Sequence, residues 1–153
     1  MKIAKIQSFQ PFHFAQAKRQ SDALQKVQEF VKVYRENRTV LGLHDEWGII
    51  YSSETLQFWQ DLYTALYEAG GSKYLQPFDW PNWQDEGYEY VMHPERLQTA
   101  DLKTLCKLYI LHERKDRFVG GHIASMIASG HIAALVDRLT ELKESFDCEH
   151  SNF

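Results

Sequence analysis

Gly-His-Ile-Ala occurs twice in this chain, at 121–124 and again at 130–133, so that His122 and His131 stand nine residues apart. Paired imidazoles are common elements of proton-transfer and metal sites. On one continuous α-helix, nine residues make about two and a half turns, which sends the two rings to opposite sides. They share a site only if the helix breaks. Ser129–Gly130 is where a break belongs, since serine is a favoured N-cap and glycine is favoured just past a helix end. The spacing predicts two helices, roughly 118–128 and 131–145.

Each candidate residue has a plain role beside its chemical one. His122 falls with Phe118, Val119, Ile123 and Met126 on the apolar side of its helix. A partly buried ring there needs a carboxylate or a backbone carbonyl as partner, and its default role is that of a satisfied core histidine. His131 opens the second helix, where the positive end of the dipole favours neutral imidazole. That ring is expected to be accessible and the better placed of the two to meet a ligand, with His122 mainly filling space.

Glu113, Arg114, Asp116 and Arg117 form a charged corner between two apolar segments. Arg117 has the fork to hold a carboxylate or phosphate, but a tie to Glu113 or Asp116 is favoured at a solvated corner. His112-Glu113 starts like the zinc motif His-Glu-x-x-His, yet position 116 is aspartate where the second imidazole belongs. Phe78, Asp79, Trp80 and Trp83 can line an aromatic pocket or stack on a base. Asp85, Glu86 and Glu89 beside them repel a phosphate backbone, so core packing with Asp79 as a helix cap is favoured. A DNA-reading helix-turn-helix needs a basic second helix, and Arg138 is the only basic residue from His131 to that point. No serine elbow, phosphate loop or dinucleotide fingerprint is present. The catalytic candidates are thus His122, His131, Arg117 and Glu113; the ligand-binding candidates are Asp79, Trp80, Trp83 and Arg114. His122 and His131 are the metal candidates, and no cofactor is implied.

The elements that must position these residues read as helices. Ala23, Leu24, Val27, Phe30, Val31 and Tyr34 recur at three- and four-residue steps within 15–37, which predicts an amphipathic helix. Residues 43–52 are short and rich in Trp47, Ile49, Ile50 and Tyr51, which predicts an extended arm or small hairpin. Ser52 or Ser53 caps the next helix, with Glu54 in its first turn, and Gly70 and Gly71 end it. Asp79 precedes a helix with Pro81 in its first turn. Thr99 or Asp101 starts another that is apolar on nearly every side, from Leu102 to Leu111, and so is central. The fold class is mainly α: a single compact domain of five or six helices with at most a short β-hairpin or extended arm near 43–52.

With 153 residues, 44% of them hydrophobic, the chain buries a core without staples. Only Cys106 and Cys148 are cysteines, too few for a disulfide framework, so a cytoplasmic home is expected. Neither a membrane-spanning run nor a signal-peptide core is visible, and no membrane association is expected. The net charge of −4 is uneven: residues 1–40 carry +5, 41–94 carry −8 and 95–153 carry −1. That argues against a large basic nucleic-acid face and leaves room for head-to-tail association of basic and acidic segments.

FDWPNW at 78–83, TADLKTLCKLYILHERKDRF at 99–118, GHIASMIASGH at 121–131 and RL at 138–139, in that order, resemble a family of bacterial proteins of unknown function. The resemblance covers roughly Tyr51 to Leu142 and implies no activity. It divides the chain into an N-terminal amphipathic segment, 1–42, outside the pattern, a helical core at 43–146 and a frayed tail at 147–153. Charge asymmetry, aromatic content and the lack of a complete catalytic set favour a non-catalytic module that binds a protein partner or a second copy of itself. The alternative is a small metal- or anion-binding enzyme with its site at the break between the last two helices.

Overall fold

The computed structural model describes residues 22–34, 41–45 and 48–151, and shows a mainly α domain with one short hairpin. The ends of the expected first helix, 15–21 and 35–37, and Trp47 lie outside the described residues. Helix α1 (22–34) buries Ala23, Val27, Val31 and Tyr34 along one stripe. Phe30 stacks on Phe58 at 4.2 Å, and Gln28 donates to the Thr140 hydroxyl at 2.8 Å. Strands β1 (Gly42–Asp45) and β2 (Gly48–Tyr51) form an antiparallel ribbon in which Leu43 faces Ile50.

Helix α2 (Ser53–Leu66) is capped by Ser52, whose hydroxyl accepts the Thr55 N–H at 3.1 Å. The two glycines do end it, through a π-helical turn (Tyr67–Gly71) in which Gly70 takes φ 101°. Helix α3 (Trp80–Met92) has Pro81 in its first turn, but Asp79 does not cap it. The Asp79 carboxylate instead accepts the Asn82 side-chain amide at 2.5 Å. A 3₁₀ turn (Pro94–Thr99) leads to α4 (Leu102–Asp116), where Asp101 accepts the Thr104 N–H at 2.8 Å.

Helix α4 packs against α2 and α3, and also against α5 (His122–Ala128) and α6 (His131–Ser151). Leu105, Cys106, Leu108, Tyr109, Leu111 and His112 are buried around its circumference, which is why its sequence is apolar on nearly every side. Two boundaries differ from the sequence reading. Helix α5 begins at His122 rather than 118, because Gly121 at φ 80° turns the chain there, leaving Phe118 and Val119 exposed. Helix α6 runs on to Ser151 through the segment expected to fray, since no glycine or proline interrupts it. No helix among the described residues is long and apolar enough to cross a membrane.

Candidate functional site

The break between α5 and α6 falls where the repeat places it. Ser129 ends α5, its hydroxyl donating to the Met126 carbonyl at 3.0 Å, and Gly130 reverses the chain at φ 86°. The left-handed conformation at Gly130 is one that a side chain disfavours. The turn brings His122 and His131 to opposite sides of a third ring. His112 Nδ1 lies 3.0 Å from His122 Nε2, and His112 Nε2 lies 2.8 Å from His131 Nε2. The chain of rings ends at the Tyr90 carbonyl, 3.1 Å from His131 Nδ1.

That carbonyl fixes every proton in the row. Tyr90 sits near the C-terminus of α3, and the residue four positions on is Pro94, which has no N–H to donate. A carbonyl only accepts, so His131 Nδ1 carries the proton and, in a neutral ring, its Nε2 carries a lone pair. His112 therefore donates through Nε2 and accepts at Nδ1, which makes His122 the donor through Nε2. One lone pair remains, on His122 Nδ1, for which no hydrogen bond is seen among the described residues.

All three rings are buried, His131 and His112 almost completely. Burial holds His131 down at about 4, the Tyr90 carbonyl opposing it in part. Burial, then the two neighbouring rings, holds His112 well below the ordinary histidine value. His122 is lowered too, first by burial and then by Lys115, with Asp116 opposing. The row is neutral near pH 7. It takes one further proton, at His122 Nδ1, without losing a hydrogen bond; a second must break a bond between rings. It is not a through-conducting wire, since the Tyr90 carbonyl cannot pass a proton on.

Two expectations are corrected here. His131 is held toward its neutral form, but it is buried rather than accessible, because it lies between the His112 ring of α4 and the Tyr90 carbonyl near the end of α3. His122 is buried as predicted, but its partner is the His112 imidazole rather than a carboxylate or carbonyl. Because the two nitrogens of His112 face different partners across its ring, the three imidazoles do not converge on one ion. No group of three metal-ligating side chains is arranged to hold one among the described residues.

The charged corner is also rearranged. Asp116 ties α4 to α5 and to the hairpin, its Oδ1 accepting the Ile123 N–H at 2.9 Å and the Tyr51 hydroxyl at 2.6 Å. Burial, then this bond, raises the Tyr51 phenol above its ordinary value. The tie predicted for Arg117 does not form: its side chain is exposed, and neither Glu113 nor Asp116 pairs with it. Arg114 is half-buried at the end of α4, without an ion pair among the described residues. At the start of α3, Trp83 meets Phe78 edge-on at 5.8 Å under the Lys107 ammonium, and Trp80 lies 6.3 Å from Phe118. Phe78, Trp80 and Trp83 are half-buried against the core, while Phe118 and Asp79 are exposed.

A family model matches residues 16–145. The chain belongs to that family, one of unknown function (DUF6508). The DUF6508 match is wider than the motifs at 51–142 and takes in α1. Comparison with curated proteins gives no match, and comparison with solved structures gives none either.

In this DUF6508 chain, sequence reasoning missed His112 as the central member, and Tyr90 and Tyr51 as partners. One signal was available for the first: a histidine on a helix otherwise apolar all round has to find a buried partner. The proton assignment is directly testable. Long-range ¹H–¹⁵N spectra at neutral pH should show His131 protonated on Nδ1, and His112 and His122 on Nε2. A protonated Nδ1 on His112 would reverse the order of donors and refute the assignment.

Proposed function

We propose that this chain is a non-catalytic helical binding module whose partner is a second copy of itself, docked hairpin to hairpin. One observation carries the reading. Leu43 and Ile50 stand directly opposite in the ribbon and are 78% and 62% exposed. A two-stranded ribbon by itself is marginally stable, and its free edges are templates for another strand. Packing of the face that carries Leu43 and Ile50 against the same face of a second copy's ribbon covers the two side chains. Charge supports this partner, since the +5 of residues 1–40 in one copy complements the −8 of 41–94 in the other. The histidines support the non-catalytic part, being buried and bonded to one another.

Sedimentation velocity at low salt should show a dimer that weakens as salt screens the charges. The double substitution Leu43→Lys, Ile50→Lys should give a monomer, with the fold changed by less than about 0.5 kcal/mol because both sites are exposed. Wild type remaining monomeric at high micromolar concentration and low salt would sink the proposal. A second reading, a small metal- or anion-binding enzyme at the helix break, has one observation in its favour, the unused lone pair on His122 Nδ1. Calorimetry with zinc and with phosphate, on wild type and His122→Ala, separates the two: heat lost in the variant supports the enzyme, and no heat from wild type removes it.

A further inference from the structure

A cavity of about 210 Å³ opens between α2, the end of β2, the C-terminus of α4 and the start of α5. Its charged walls come from α4. Glu113 and Arg117 are four residues apart, acid before base, the order that favours an ion pair on a helix surface. They nevertheless make none, and neither charge has an ion pair among the described residues. Asp116 also lines the cavity, but its Oδ1 is held by Tyr51 and by the Ile123 N–H. The Asp116 carboxylate keeps its charge, so the walls carry one cation and two anions, with Arg117 and Glu113 the pair open to a ligand.

Trp59 forms another wall. It is buried, stacked on Tyr109 at 4.4 Å, and its indole N–H has no acceptor among the described residues. A buried donor without a partner is rare in folded proteins and marks a place where an acceptor is missing. Leu56 and Ile123 add apolar surface, and Tyr51 and Thr55 complete the lining. The volume is below the roughly 300–1,000 Å³ of sites for drug-sized molecules, so the occupant is small.

We propose that this cavity binds a small zwitterion of the amino-acid type. Its carboxylate is held by the Arg117 guanidinium and the Trp59 indole N–H, its ammonium by Glu113, and its short apolar side chain lies against Leu56 and Ile123. An inorganic phosphate fits less well, because Glu113 and Asp116 repel a multiply charged anion and nothing apolar is matched. The binding does not depend on self-association.

Titration of the full chain with valine, followed through the Trp59 indole N–H in ¹H–¹⁵N spectra, should show a saturable shift. Isovalerate, which lacks the amine, and isobutylamine, which lacks the carboxylate, should each bind at least about tenfold more weakly. Arg117→Gln and Glu113→Gln, at partly exposed positions that leave the melting temperature unchanged, should each weaken valine by about tenfold. Saturation by isovalerate as tight as by valine would overturn the zwitterion assignment. So would an unchanged affinity in Arg117→Gln, or the absence of saturation by glycine, valine and leucine.

Discussion

Lowering the pH from 7 to 5 should destabilise this protein steeply. The sign follows from where the protons sit. His131 has a folded value of about 4 against an ordinary 6.5, so between those values the unfolded chain binds a proton that the folded one refuses. Its stabilising contribution is fully present above 6.5 and is lost as the pH falls toward 4. Over the interval from pH 7 to 5 this single ring accounts for about 2 kcal/mol. His112 and His122 are shifted in the same direction and add to the loss, His122 less so because its free Nδ1 can take a proton in place. Urea midpoints at pH 7, 6 and 5 check this, and His131→Gln, whose amide carries no titrating proton, should flatten the profile. Equal stability at pH 7 and 5 would mean the rings are not held neutral against one another.

Why the helix break that brings His122 and His131 to one site was visible in the sequence, and the third ring between them was not, comes down to range. The helix break depends on Ser129 and Gly130, adjacent residues whose backbone preferences act locally, and the cap at Ser52 is legible for the same reason. Helix α4 announces its central place through an apolar circumference, which is also a local pattern. Which buried group meets His112, however, depends on how α5 and α6 fold back across α4, and no spacing encodes that. Tyr90 carries half of a signal: Pro94, four residues on, leaves its carbonyl without a helical partner. That His131 supplies the donor is a tertiary fact.

The corner at 113–117 failed for a different reason. Glu113, Asp116 and Arg117 are close in sequence, and a surface ion pair is the ordinary outcome. Such pairs contribute so little that other contacts displace them. Here the Tyr51 hydroxyl and the α5 backbone take Asp116, and the two bonds that fasten the hairpin and α5 to α4 replace the predicted tie. Asp79 followed the same logic on a smaller scale, its carboxylate taken by the nearby Asn82 amide in place of a helix N–H.

The order of damage among single histidine substitutions follows from the row and reverses the expectation from sequence, in which the space-filling His122 matters more to the fold than an accessible His131. His112→Ala should be the worst, on the order of 3–5 kcal/mol, because it opens a void in the middle of the core and orphans groups on both sides. The His122 Nε2–H loses its acceptor, and the His131 lone pair loses its donor. His131→Ala comes next, since it uncaps the Tyr90 carbonyl as well as leaving His112 without an acceptor, whereas His122→Ala leaves only one ring nitrogen unmet. Neighbours that share a bond are not additive, and the sign of the departure is fixed here. Once His112 is gone, His131 has already lost its ring partner, so the double variant His112→Ala, His131→Ala should be destabilised by less than the sum of its parts, by about 1–2 kcal/mol. Denaturant titration of the two singles and the double closes the cycle. Strict additivity would mean that the 2.8 Å contact between these rings contributes nothing to stability, and His122→Ala proving the most damaging of the three would place the centre of the network on the wrong ring.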